Sequence, residues 1–258
     1  MKTLLFNGCS YTAGDKIVWE EFLKLDNIDP NDPDIYLKYV KYRKQFNLPT
    51  IFAKNLGLAH IDLSMDGNSN YNITIDTINH ILSLPVETRN NLHVCIGWSE
   101  PTRQLKWSEE HNEFVTLNIR MLDTDLQKGC HTYIKEAMVK AHDNDHYLNY
   151  IANVMLLENF LIANGITYTF WRALGSAIHS FDEPFNRKLN ITEQITNNRN
   201  WICFNQNNPL CITGHTWVNI FDRNQDFISK SNQHPNILAI LRFFKLFSKK
   251  IIQQRVIN

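Results

Sequence analysis

The stretch Met1-Lys-Thr-Leu-Leu-Phe-Asn-Gly-Cys-Ser-Tyr-Thr-Ala-Gly14 constrains this chain more than any other. Thr3 to Phe6 is a short apolar run of the length of a buried strand. Asn7-Gly8 stops it, and Ser10 follows at once. A strand that ends at a glycine and presents a serine on the next turn sets a hydroxyl at the carboxyl end of a parallel strand, where open α/β sheets keep their ligands. Backbone N–H groups after such a turn can point at an oxyanion beside the hydroxyl. The same residues also suit a plain β-turn closing a first strand, with Ser10 as its hydrogen-bonding residue. The rest of the chain has to separate the two.

Strand and helix signals then alternate. Asp34 to Phe46 and Pro49 to Leu56 read as helices, the second closed by Gly57. Leu58 to Leu63 reads as the second strand, and Asp66 to Asn70 as a tight polar loop. In Tyr71 to Leu84, Ile73, Ile75, Ile78, Ile81 and Leu82 are spaced for one buried helix face, with Ser69 or Asn70 as N-cap. Leu92 to Ile96 is the third strand and Ile166 to Trp171 the fourth. His131 to Asn164 has a helical pattern with a break near Asp143-Asn-Asp145, and Ile237 to Ile252 forms the last helix. This is the rhythm of βαβ crossovers in a parallel sheet. Val18 to Leu23 suits a short helix or a loop wall. Residues 105–130 suit a small hairpin or a lid, and 172–230 read as an irregular insertion or wall of the site. With no repeat and no linker, the expectation is one domain over 1–258.

Composition excludes several classes. A 43% hydrophobic fraction supports a sizeable core, and a formal net charge of zero argues against a chain built to bind nucleic acid. The five cysteines form no CxxC pair, so no zinc or redox motif is signalled; Cys9 and Cys95 read as small buried hydrophobes. No apolar run approaches a membrane span, and Asn7-Gly8 interrupts the N-terminal one too early for a signal peptide. A cytoplasmic, reducing location and no cofactor are expected.

Four loops stand out: Gly8-Cys9-Ser10, Gly67-Asn68-Ser69-Asn70, Gly97-Trp98-Ser99 and His234-Pro235-Asn236. In a doubly wound sheet the first three follow strand carboxyl ends and the fourth opens the last helix, so all can converge on one crevice. Ser10 offers a nucleophile that needs a base. His234, held by Pro235 before the helix, offers an imidazole suited to that task. Gly67 lets a backbone N–H approach a substrate oxygen, and the Asn70 amide can donate to the same oxyanion. His142 and His146 stand four apart, as metal ligands on a helix do, but Asp143-Asn-Asp145 between them reads as an exposed turn, so no metal site is assigned.

The ordered set resembles the SGNH (GDSL-like) hydrolase superfamily. Its Gly-Asp-Ser block resembles Gly8-Cys9-Ser10, its glycine block resembles Gly67 to Asn70, and its Asp-x-x-His block resembles Ser231 to His234. The resemblance implies a flavodoxin-like, three-layer α/β/α sandwich around a parallel sheet of about five strands. It also implies a serine esterase acting on an O-acyl ester, for example an acetyl group on a carbohydrate. Ser10 and His234 would be catalytic, with Ser10, Gly67, Asn70 and Ser99 around the oxyanion. Tyr11, Trp98 and Arg103 would line the substrate, although ordinary packing explains the aromatic residues as well. Two departures matter. The third block, normally Gly-x-Asn-Asp, reads Gly97-Trp98-Ser99-Glu100, and its continuation through Pro101 to Arg103 resembles a subgroup among small bacterial and phage-type members. Ser231 stands where the triad Asp belongs. By analogy with the serine proteases, losing that acid lowers turnover by about 10⁴-fold. Two other readings stay open: an SGNH-fold binding or virion-type structural module with decayed machinery, and an acyltransferase using the same Ser–His chemistry.

Overall fold

The computed structural model describes residues 2–14, 18–25, 28–108, 112–118, 143–173, 200–202 and 237–253. In chain order these form β1 (Thr3–Gly8), α1 (Ser10–Ala13), α2 (Trp19–Phe22), α3 (Ile35–Arg43), α4 (Leu48–Leu56), β2 (Ala59–Asp62), α5 (Asn70–Ser83), α6 (Val86–Arg89), β3 (Leu92–Trp98), β4 (Arg103–Ser108), β5 (Glu113–Asn118), α7 (Asp143–Ala163), β6 (Thr167–Arg172) and α8 (Ile237–Gln253).

Leu4, Leu5 and Phe6 are all fully buried, so β1 is covered on both faces, as a central parallel strand must be. It pairs in parallel with β2 and β3, and β3 pairs in parallel with β6, in the order β2-β1-β3-β6. The four described strands are one fewer than expected. Trp201 makes a parallel bridge to Phe170 at the outer edge of β6, in the place of a further strand. β3 runs two residues beyond the expected Ile96, because Gly97 and Trp98 continue the ladder against Trp171 and Arg172.

Period-two alternation sends the strand residues to opposite faces. Leu4, Phe6, Cys95 and Trp171 meet α4 and α8, where Phe52, Phe243 and Phe247 pack with ring centroids 4.6 to 6.3 Å apart. Leu5, Val94, Ile96, Trp98 and Phe170 meet α5 and α7. Along α7, Tyr147, Tyr150, Ile151, Val154, Leu157 and Leu161 recur at helical spacing and are buried. At about 1.5–3 kcal/mol for each large apolar side chain buried, these two faces supply most of the driving force. The result is helix–sheet–helix layering, an α/β fold. Asp143-Asn-Asp145, where a break and an exposed turn were expected, is helical within α7; residues 131–142, like Ser231 to Asn236 and most of 172–230, lie outside the described residues. The expected hairpin in 105–130 is present as the antiparallel pair β4–β5. Among the described residues, no helix is long and apolar enough to cross a membrane.

The ends of β1 and β3 come unusually close. Gly8 and Gly97 are register partners, and Thr12 of α1 lies over both. A Cβ on Gly8 would stand 2.3 Å from Thr12 Oγ1, and one on Gly97 2.4 Å from it. Two glycines are therefore what lets α1 sit directly on the carboxyl edge of the sheet.

Candidate active site

Ser10 is the first residue of α1 and is 5% exposed, at the carboxyl end of β1. The turn is closed by Thr12 N–H and Ala13 N–H, both donating to Cys9 O (2.8 and 3.0 Å), and by Gly14 in the left-handed conformation (φ 74°). Local chemistry explains the shape: Gly8 permits the approach to β3, and Gly14 supplies the αL cap without Cβ strain.

The loop after β2 is fastened to the same strand end. Met65 N–H donates to Gly8 O (3.1 Å), and the buried Asn68 amide reaches Gly8 O and Asn7 Oδ1 (both 3.4 Å). Asn7 is itself fully buried; its amide donates to Ile73 O and Thr77 Oγ1 of α5, and its Oδ1 accepts from Gly8 N–H. Gly67 has φ +70° and open space around its Cβ position, so the left-handed turn is what demands glycine there. Its neighbour Asp66 pairs with Arg43 (2.6 Å) and accepts from Tyr36 Oη, which anchors the turn from below.

The loop after β3 is held by Asn70. Ser69 takes the N-cap role, its Oγ accepting from Asn72 N–H, which frees the Asn70 side chain for a cross-loop function. Asn70 Oδ1 accepts from Ser99 N–H (2.8 Å), and its Nδ2 donates to Ser99 O and Glu100 O (both 3.2 Å). The expectation that this amide donates to an oxyanion therefore needs amending: its hydrogens are engaged by two carbonyls, and Asn70 positions the 99–100 loop. Ser99 is buried beside Cys9. Burial raises the Cys9 thiol pKa, and the nearby Arg103 charge and Ser99 hydroxyl pull it back only in part. The thiol thus stays protonated next to Ser10.

Trp98 and Tyr11 are packing residues. Trp98 is fully buried, edge-on to Tyr150 and Phe170 at 6.1 and 5.4 Å, because β3 continues through it and aims it at α7. Tyr11 belongs to the opposite core cluster. Arg103, by contrast, lines a groove of about 470 Å³ between α5, the β4–β5 hairpin and α7. The loop after β2 is thus hydrogen-bonded to the end of β1 through Met65 and Asn68, and to the loop after β3 through Asn70. His234 lies outside the described residues, as does His142; His146 is buried with Nδ1 2.7 Å from Gln104 Nε2. Among the described residues, no cluster of three metal-binding side chains occurs. Asn7, Thr12 and Asn68 were not anticipated; Asn7-Gly8 signals a strand break, and nothing local in the sequence marks the asparagine as an anchor for α5.

No family model matches the chain, and no curated protein matches it. Among solved structures it is similar to the psychrotrophic esterase EstA from Pseudoalteromonas sp., at 9% identity over 98% of both chains with a TM-score of 0.48. It is similar to a protein described as lipolytic and of the G-D-S-L family from Desulfitobacterium hafniense, at 8% identity over 97% of this chain and 99% of that one, TM-score 0.47. A third is an acetyl xylan esterase from Butyrivibrio proteoclasticus, at 10% identity over 98% of this chain and 64% of that one, TM-score 0.48.

Proposed function

We propose that this chain is an SGNH-type serine ester hydrolase with Ser10 as nucleophile and His234 as general base. The observation that supports it best is the seating of Ser10: a buried serine on the first turn after β1, between two loops that are hydrogen-bonded into place. Ser10 Oγ attacks the ester carbonyl while His234 takes its proton. The oxyanion that forms is met by the N–H groups of Ser10 and Gly67, with the Ser99 hydroxyl beside them. Collapse breaks the C–O bond, and the alcohol leaves with the proton from His234. Water, activated by the same imidazole, then attacks the acyl-enzyme and releases the carboxylic acid and free Ser10. An alcohol in place of water makes the same intermediate a transferase. Ser231 offers no carboxylate to orient His234, so slow turnover is expected.

A second reading, a binding or structural module with lapsed catalysis, is favoured by Ser231 and by the engagement of the Asn70 amide. Reaction of the purified protein with a fluorophosphonate, read by intact mass, separates them. One adduct on the native chain, absent in Ser10→Ala and slowed in His234→Ala, supports the hydrolase. A folded protein that takes up no probe sinks it.

A further inference from the structure

The groove beside the site has a one-sided chemistry. Its walls carry two cations, Arg103 and Lys106, and among the described residues no Asp or Glu lines it. Arg103 opens β4 directly after the loop that Asn70 holds, and its charge reaches the Cys9 thiol, one residue from Ser10. Arg103 Nε and Nη1 are buried and have no hydrogen-bond partner among the described residues. Tyr150 Oη is in the same position, on a residue 2% exposed that also lines the groove. Each is a donor. A buried donor without a partner costs about 1–3 kcal/mol, and an oxyanion satisfies several at once with charge-assisted bonds. At the outer rim, Tyr71 and Phe114 are 49% and 62% exposed and offer flat apolar faces.

We propose that this groove is an oxyanion-binding subsite. It takes a carboxylate or phosphate carried by a small, ring-containing part of the ligand, with Arg103, Lys106 and Tyr150 holding the charge and Tyr71 and Phe114 the ring. On the hydrolase reading, on which only this last step rests, the ligand is an ester whose alcohol portion is anionic.

The test uses Ser10→Ala, so that binding is read without turnover, titrated calorimetrically with glucuronate, glucose 6-phosphate and glucose at constant ionic strength. At least ten-fold tighter binding of one of the two anions than of glucose is expected, and which one binds tells carboxylate from phosphate. Arg103→Gln in the same background is expected to lose at least ten-fold of that affinity. Should Arg103→Gln fail to fold, Lys106→Gln and Tyr150→Phe carry the same comparison. Equal binding of all three sugars, no saturable binding by the folded protein, or anion affinity indifferent to all three substitutions overturns the proposal. Arg103-dependent anion binding in a protein that ignores the fluorophosphonate keeps the subsite and removes the hydrolase; labelling without anion selectivity does the reverse.

Discussion

The parallel sheet carries buried polar groups at both ends, and the two ends are built differently. At the amino end, His93 lies fully buried with Nδ1 and Nε2 each 2.9 Å from a threonine hydroxyl, Thr167 Oγ1 and Thr169 Oγ1. Lys2 Nζ donates to Thr167 Oγ1 at 2.7 Å. Both ring nitrogens are matched. At the carboxyl end, Asn7, Asn68 and Asn70 tie three loops together, yet Thr12 Oγ1, Asn68 Oδ1 and Thr102 Oγ1 are buried without a hydrogen-bond partner among the described residues. A matched buried network rigidifies a core, whereas each buried polar group left without a partner carries a desolvation cost. The two ends of one sheet thus differ in how completely their buried polar groups are matched among the described residues.

The largest expected effect comes from closing the carboxyl end sterically. Gly8→Ala would place a Cβ 2.8 Å from Gly97 O as well as against Thr12, and is expected to destabilise by about 3 kcal/mol, at the upper end of overpacking costs. Gly97→Ala meets Thr12 first and the Trp171 ring at 3.0 Å second. Urea midpoints of Gly97→Ala with and without Thr12→Ala therefore give a direct readout: the double variant recovers part of the loss, and strict additivity would break the account of why α1 lies where it does.

Asn70→Ala comes next. It strands Ser99 N–H and two loop carbonyls, and a loss of about 2 kcal/mol is expected from the cost of unpaired buried groups. Fluorophosphonate labelling should slow as well, because the 99–100 loop loses its support. Unchanged labelling with lowered stability would give Asn70 a structural role alone.

His93 sharpens the amino end. Burial, and secondarily Lys2, lowers its pKa to about 3. The unfolded chain therefore takes the proton first, once pH falls below the ordinary histidine pKa of about 6.5. The stability this residue confers is complete above that pH and is lost toward pH 3, by up to about 1.4 kcal/mol per pH unit. Chemical denaturation at pH 7, 6 and 5 should show the slope in the native chain and a shallower one in His93→Gln. Equal slopes would mean the imidazole is not held neutral.

The smallest effect is expected far from both ends. Lys38 and Asp32 form an ion pair on the exposed side of α3, and each raises the other's preference for its charged form. Exposed pairs contribute little, so Lys38→Met should leave the urea midpoint within error.

Much of the frame was legible before any coordinates. Apolar runs at Thr3, Leu58, Leu92 and Ile166, separated by amphipathic stretches, are enough to specify crossovers and a parallel sheet. Ser69 and Asn70 were both readable as caps for α5. Which one caps and which one reaches across to Ser99 and Glu100 was not readable, since both side chains suit either task. Trp98 shows the same limit: a tryptophan after a glycine at a strand end reads as a platform, and only pairing with β6 carries the strand on and buries the ring. Arg103 read as a residue near the site, but the groove beside it depends on how the hairpin folds back over α5 and α7.

The sequence by itself determined the order and type of elements, because periodicity and glycine punctuation are local properties of a chain. It also determined that a serine would follow the first strand at the carboxyl edge of the sheet. Tertiary structure alone decided that two glycines 89 residues apart would meet beneath Thr12, that one asparagine would lock another loop, and that donors without a partner among the described residues would belong to residues lining one groove. Those outcomes depend on distances between segments remote in the chain, and local pattern carries no record of such distances.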